Sequence, residues 1–219
     1  VDPRQTFLDL ISPVNVPHDI SSAMESWRCR GTTAKVNLAL DGPLDFESRP
    51  GAIFDTIRIA ESLQEIEQAF DNVKYHHLPS SPHLDIHVPS VLDPALAPEG
   101  HHVASILVHF VPHALEGGWC DARREELLEI CLDRLSKVAP RCRERVVGYQ
   151  VLTPVDLERE FSLTGGHVHH GEHGLDQLLS LRPSAGCSRY ATPIRGLALC
   201  GSGSHPGGGV TCAPGELAA

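Results

Sequence analysis

A glycine-rich turn near the end of the chain constrains its fold more than any other segment. Leu197 to Cys200 is a short apolar run that reads as a buried strand, and it stops at Gly201. A loop follows with Gly203 and the triplet Gly207, Gly208 and Gly209, and Val210 onward reads as the start of a helix. A strand, a glycine loop and a helix in that order bring bare backbone N–H groups and the positive end of a helix to one point. Such a turn suits a group that carries or develops negative charge. A plain tight turn needs only one or two glycines, so three of them after His205-Pro206 point to close approach of a ligand.

Ahead of this turn the hydrophobic pattern alternates between periods of two and of 3.6. Residues 33–41 place Ala34, Val36, Leu38 and Leu40 on one face of a half-buried strand, and residues 53–59 repeat the pattern at Ile53, Ile57 and Ile59. Ser62 is placed to cap a helix from residue 63, with Glu65 as its capping-box partner. Leu63, Ile66, Ala69, Phe70 and Val73 supply the apolar stripe of that helix. Leu84, Ile86 and Val88 alternate with His83, Asp85 and His87, and Pro89 to Gly100 is a turn segment. Residues 103–111 form a strong strand, expected to pair with the one before it. Asp121 to Val138 is the clearest helix, and a shorter one begins after Pro154 and runs over Asp156 to Phe161. Strands with interspersed helices and connections of mixed length favour α+β, with an antiparallel or mixed sheet covered on one face, over a parallel βαβ array.

The chain of 219 residues is long enough to bury a core as one or two domains. Its net charge of −10 argues against a nucleic-acid partner, because phosphate binding needs clustered Lys and Arg. No run is long and apolar enough to span a bilayer as a helix, which leaves peripheral membrane contact open. The seven cysteines contain no C-x-x-C pair, so neither a disulfide framework nor a zinc knuckle is indicated. A reducing compartment fits this usage: the cytoplasm, or the mitochondrial matrix in a eukaryotic cell. Cys120, Cys131 and Cys142 recur at a spacing close to three helical turns and read as apolar packing at or near a helix. The chain opens at Val1-Asp2-Pro3 with no element ahead of it and reads as part of a longer protein.

Other constellations compete for a functional reading. His167, His169, His170, Glu172 and His173 lie within seven residues and offer nitrogen and oxygen ligands, so a metal-binding module or metal-dependent hydrolase is one alternative. Their spacing is not H-E-x-x-H, and flanking glycines oppose one rigid helix face, so no metal is expected. His76-His77 and His101-His102 read as surface pairs. Ser202, Ser204 and His205 are too close in sequence for triad geometry, and no G-x-S-x-G elbow occurs. Asp156, Glu158, Arg159 and Glu160 read as a solvated helix face with ion pairs, and Asp176 and Arg182 as groups that hold a loop. A further alternative is a non-catalytic interaction protein that keeps a fold without its cofactor.

Several motifs in one order and spacing carry a family resemblance. Thr192-Pro193-Ile194-Arg195-Gly196, Leu199-Cys200-Gly201-Ser202-Gly203-Ser204-His205-Pro206-Gly207-Gly208-Gly209, Leu163-Thr164-Gly165-Gly166, His170-Gly171 and Arg182-Pro183 resemble the C-terminal flavin motifs of phytoene desaturase-like FAD-dependent oxidoreductases. The likeness is strong over about residues 150–215. It implies an α/β flavoprotein fragment in which 1–15 leave a flavin domain, 16–150 form a sheet-containing substrate domain and 151–219 return to the flavin domain. It implies FAD as cofactor. Gly201, Ser202, His205, Pro206, Gly207, Gly208, Gly209 and Val210 would lie at the flavin, with Gly166 and His170 on the neighbouring loop. It implies flavin-mediated dehydrogenation of an apolar or amine-like small molecule, and it names no catalytic base.

Relatives of that kind usually carry an aromatic residue, Gly, Arg and Asn where this chain has Ala198, Cys212, Ala191 and Leu217. The G-x-G-x-x-G fingerprint that binds the FAD diphosphate in such proteins does not occur here. The expected partner is therefore an N-terminal dinucleotide-binding domain outside these residues, and the fragment alone is expected to be inactive.

Overall fold

In a computed structural model that describes residues 1–219, the helices in chain order are α1 (Pro3–Gln5), α2 (His18–Glu25), α3 (Leu63–Lys74), α4 (Asp121–Ser136), α5 (Cys142–Arg145), α6 (Pro154–Phe161) and α7 (Ala213–Ala218). The strands are β1 (Thr33–Leu40), β2 (Thr56–Ile59), β3 (Leu84–His87), β4 (His102–His109) and β5 (Val146–Leu152). The chain divides into two compact units, one of residues 32–155 and one of residues 1–31 with 156–219.

The unit of residues 32–155 is α+β. Its strands form one sheet in the order β2-β3-β4-β1-β5, and every pairing is antiparallel. The period-two pattern explains which face is buried. Ala34, Val36, Leu38 and Leu40 of β1 stand opposite Val108, Ile106, Ala104 and His102 of β4, and all but His102 are buried. Leu84 and Ile86 continue this layer on β3. Helix α4 covers it with Leu127, Leu128, Cys131, Leu132 and Leu135, and Cys142 joins the same core. Cys120, by contrast, is exposed at the N-cap of α4, so only two of the three evenly spaced cysteines pack.

Helix α3 is capped as its sequence indicates, with the Ser62 hydroxyl accepting from the Glu65 N–H at 3.1 Å. The reciprocal bond of a capping box is displaced by one residue: the Glu65 carboxylate accepts from the N–H of Glu61 at 2.9 Å. Strand β5 is absent from the sequence reading. It pairs with β1 from Lys35↔Leu152 to Leu40↔Val146, and a shift between Ala39 and Leu40 leaves Val147 as an extra, exposed residue.

The unit of residues 1–31 and 156–219 has little regular structure. Phe7, Val16, Ile20, Met24 and Cys187 make a small core, with Ile194, Leu197 and Leu199 packed against it. Asp2 is buried and ties this unit together: its carboxylate accepts from the Gln5 N–H at the start of α1, and from the N–H and hydroxyl of Thr164.

Three expectations change here. Leu197 to Cys200 is not a buried strand. It forms a single bridge, Ala191↔Ala198, with Ala198 and Cys200 exposed, because no neighbouring strand supplies a ladder and Leu197 and Leu199 use only one side for packing. The last helix begins at Ala213 rather than Val210, since Val210 and Cys212 both take left-handed backbone, with φ of 55° and 59°, which a helix cannot include. Asp156 is buried rather than solvated, and accepts from Arg159 at 2.9 Å.

Candidate functional site

The expected flavin residues fall on two loops of the second unit described, residues 164–177 and 201–212. The first loop starts on glycines that the backbone requires. Gly165 and Gly166 have φ of 60° and 67°. A Cβ on Gly165 would collide with the carbonyl of Cys29, and one on Gly31 would come within 2.6 Å of the Gly166 carbonyl. The Gly165 N–H donates to the Glu158 carboxylate at 2.7 Å, and the Gly31 N–H to the Gly165 carbonyl at 2.9 Å. Gly31 is therefore a packing glycine against Gly165 and Gly166, and Gly166 itself takes left-handed backbone. Further on, Gly171 has φ of 135° and lies against the ring of Trp27, whose indole N–H donates to the His170 carbonyl at 3.2 Å.

Four histidines line this loop. The Nδ1 of His167 accepts from the N–H groups of His169, at 3.2 Å, and Gly171, at 3.4 Å. Burial pushes the His167 imidazole down to about 4, and burial also lowers His169, His170 and His173 from the usual histidine range. The rings of His169 and His173 lie 5.3 Å apart. His170 has φ of 56°, and its Nδ1 is buried without a hydrogen-bond partner. No three His, Cys, Asp or Glu side chains converge in a way that could hold a metal ion.

The glycine loop packs directly on these imidazoles. A Cβ on Gly208 would overlap the His169 ring, and a Cβ on Gly207 would stand 2.6 Å from Nε2 of His173. Gly207 and Gly209 have φ of 110° and 127°. Gly203 fits against the ring of Pro3, with the His170 carbonyl 3.6 Å from where its Cβ would be. Two of the three triplet glycines are thus explained by neighbours within the chain. The N–H groups of Gly207, Gly208, Gly209 and Val210 donate to no protein acceptor. Gly207 is buried and Gly208 half-buried, while Gly209 and Val210 are exposed, so these donors are open to water or to an electron-rich ligand edge.

Arg182 joins the two loops. Its side chain is fully buried and its guanidinium donates only to carbonyls. Nε and Nη2 reach Ser202 at 3.1 and 2.7 Å. Nη1 reaches Glu172 and Gln177 at 3.1 and 3.2 Å, and Nη2 also reaches His169 and Gly171 at 2.9 and 3.2 Å. The face of Trp27 lies 5.4 Å from the guanidinium carbon. Asp176 is not its partner: it pairs with Arg28 at 2.5 Å, and Glu172 pairs with Arg28 and Arg30. These arginines, Arg30 first, hold the Glu172 carboxyl below the usual carboxylate range. Buried Gln177 completes the frame, accepting from the Arg28 N–H at 2.7 Å and donating to the carbonyls of Arg28 and Glu172.

Sequence reasoning named the loops and Arg182, but missed Trp27 and Gln177. Their only sequence signal is type: a Trp and a Gln among loop residues, with nothing local to show that distant backbone needs them.

No family model matches the chain. It is 37% identical over 229 aligned residues to the rat "Pyridine nucleotide-disulfide oxidoreductase domain-containing protein 2", an alignment that covers 99% of this chain and 39% of that protein. It is 29% identical to a phytoene desaturase of Fusarium fujikuroi over 67% of this chain and 29% of the desaturase. The chain is a relative of the phytoene desaturase-like oxidoreductases. It spans about two fifths of the length of the first of these relatives. The fold agrees with a crystal structure of an oxidoreductase from Methanosarcina mazei, with a TM-score of 0.50 at 17% identity over 93% of this chain and 36% of that one. The left-handed backbone at Cys212 is the conformation that glycine takes most easily.

Proposed function

We propose that this chain contributes the flavin-end loop of an FAD-dependent oxidoreductase. The observation that carries the reading is the run of free N–H groups at Gly207, Gly208, Gly209 and Val210, in a chain related to phytoene desaturase-like proteins. Gly201, Ser202, His205 and Pro206 shape the approach to that run, with Gly166 and His170 on the facing loop. The residues present fit one end of the cofactor: the loop offers donors to the electron-rich edge of the ring and holds a cation, Arg182, behind it. Its diphosphate end would be held by a dinucleotide-binding segment outside these 219 residues.

When bound, the flavin supplies a two-electron acceptor for hydride removed from a C–H bond of an apolar or amine-like substrate. The chain's own contribution is to orient the ring, stabilise negative charge at its edge and keep the loop fixed. The substrate-binding part, expected over residues 16–150, would correspond to the compact unit of residues 32–155. All seven cysteines are free, which supports a reducing compartment, the cytoplasm or a mitochondrial matrix. No helix is long and apolar enough to cross a membrane.

The test uses the whole protein that carries this segment. It should purify with a flavin absorbance spectrum, and Gly208→Val should lower the flavin content while the fold is retained by circular dichroism. Unchanged flavin content in that variant, or no flavin in the wild type after addition of FAD, would remove the proposal.

A further inference from the structure

The guanidinium of Arg182 has no carboxylate partner, although two carboxylates lie on the loop it holds. Glu172 is taken by Arg28 and Arg30, and Asp176 by Arg28. The charge of Arg182 is instead surrounded by carbonyl oxygens from His169, Gly171, Glu172, Gln177 and Ser202 and by the face of Trp27. Carbonyl dipoles can offset the loss of water, but unlike a carboxylate they do not cancel the net charge. The cation also lies beside the glycine triplet, with Nε 3.6 Å from where a Cβ on Gly207 would stand.

We propose that Arg182 is the positioning residue of the flavin loop: it gathers carbonyls of residues 169–177 together with that of Ser202, pins the start of the glycine loop against the histidine loop, and sets a fixed positive charge beside Gly207. This rests on the flavin reading above. A peptide group turned so that its oxygen meets the guanidinium presents its N–H the other way, and on the glycine loop that peptide is Ser202–Gly203. Ser202 is the contact that matters most, because it alone joins Arg182 to the glycine loop and accepts from two of its nitrogens. A net positive charge at that depth favours the anionic reduced flavin over the neutral oxidised one.

Hydrogen exchange of the flavin-free chain reads the clamp separately from the cofactor. Arg182→Ala and Arg182→Lys should each raise exchange across residues 167–177 and 201–205 by about tenfold, with residues 32–155 unchanged. Lysine keeps the charge but cannot supply a five-donor fork. Millimolar guanidinium should slow exchange again in the alanine variant and leave the wild type unaffected, a rescue that general destabilisation would not show. If alanine prevents folding, the lysine variant decides. Wild-type exchange in Arg182→Lys, or faster exchange in Arg182→Ala without rescue, would overturn the clamp. In the flavin-loaded whole protein the midpoint potential should fall in Arg182→Ala and fall less in Arg182→Lys; equal potentials in all three would overturn the charge assignment. A wild type that takes up no flavin would defeat the flavin reading, and with it the potential arm, while the exchange result still decides the clamp.

Discussion

His169 stands where a side chain at position 208 would have to go, so the two positions should be coupled in stability. The clash reaches from Nδ1 back to Cβ of His169, which means that rotating the end of the ring cannot relieve it. Gly208→Ala should therefore cost about 1–3 kcal/mol through overpacking. His169→Ala in the same chain should recover a part of that cost, with an interaction energy of about 1 kcal/mol in a denaturant double-mutant cycle. Strict additivity would mean that the loops do not touch. His167 gives a second expectation at this scale. Its folded value of about 4 lies below the unfolded value of about 6.5. The unfolded chain then binds the proton more readily, so the stability that neutral His167 contributes is complete above about pH 6.5 and is lost as pH falls through about 4. Protonation also removes Nδ1 as acceptor for two backbone N–H groups. His167→Asn keeps an acceptor without a titration, and its thermal midpoint should fall less steeply than the wild type over that pH window. Parallel curves would show that His167 does not control acid stability.

Among the elements, α4 and α3 are joined by a buried cation of another kind. Arg134 is 2% exposed and donates to Glu61 and Glu65, both at 2.7 Å. Glu65 also accepts from the Glu61 N–H and from the Ser81 hydroxyl at 2.6 Å, and these bonds hold its carboxyl below the usual range. Removing a carboxylate that is mostly covered, and that serves three donors, should matter more than removing Glu61, whose side chain is 68% exposed. Glu65→Ala is expected to destabilise residues 32–155 by about 2 kcal/mol and Glu61→Ala by under about 1 kcal/mol, read from denaturant midpoints. Equal losses would mean that Arg134 alone carries the contact.

The same elements show what could be read in advance. Strands β1, β3 and β4 and helix α4 were legible because one buried face leaves a local period, as in Ala34, Val36, Leu38 and Leu40. β5 was not, although Val147, Tyr149 and Val151 alternate, because Gly148 and an extra residue at Val147 break the pattern. The run at Leu197 misled, since four apolar residues look alike whether they join a ladder or pack one side against a small core. The loops of the site were legible by composition. Their geometry was not, because Trp27 and Gln177 act on backbone 143 and 149 residues away, and Arg182 gathers carbonyls of two loops at once, 5 to 20 residues away.

For the whole molecule, the question is how much of a two-ended cofactor one set of loops can hold. On the proposed flavin reading, the donors at 207–210 would meet only one end of FAD, and no G-x-G-x-x-G turn is present for the diphosphate. A hydrogen bond to a charged group is worth about 1.5–3 kcal/mol, so three missing diphosphate contacts forfeit about 4.5–9 kcal/mol. At about 1.4 kcal/mol for each tenfold step, that is roughly three to six powers of ten in affinity. The net charge of −10 adds a general repulsion toward an anionic ligand, screened beyond about 10 Å at moderate salt. Arg182 cannot compensate, because its donors are already committed to five carbonyls. The 219 residues expressed alone should therefore fail to retain FAD through gel filtration and show no shift of the flavin spectrum at micromolar concentrations. Supplying the dinucleotide-binding part, as one chain or as a separate polypeptide, should restore a bound spectrum. Sub-micromolar binding of FAD by residues 1–219 alone would overturn this division of the cofactor between two segments.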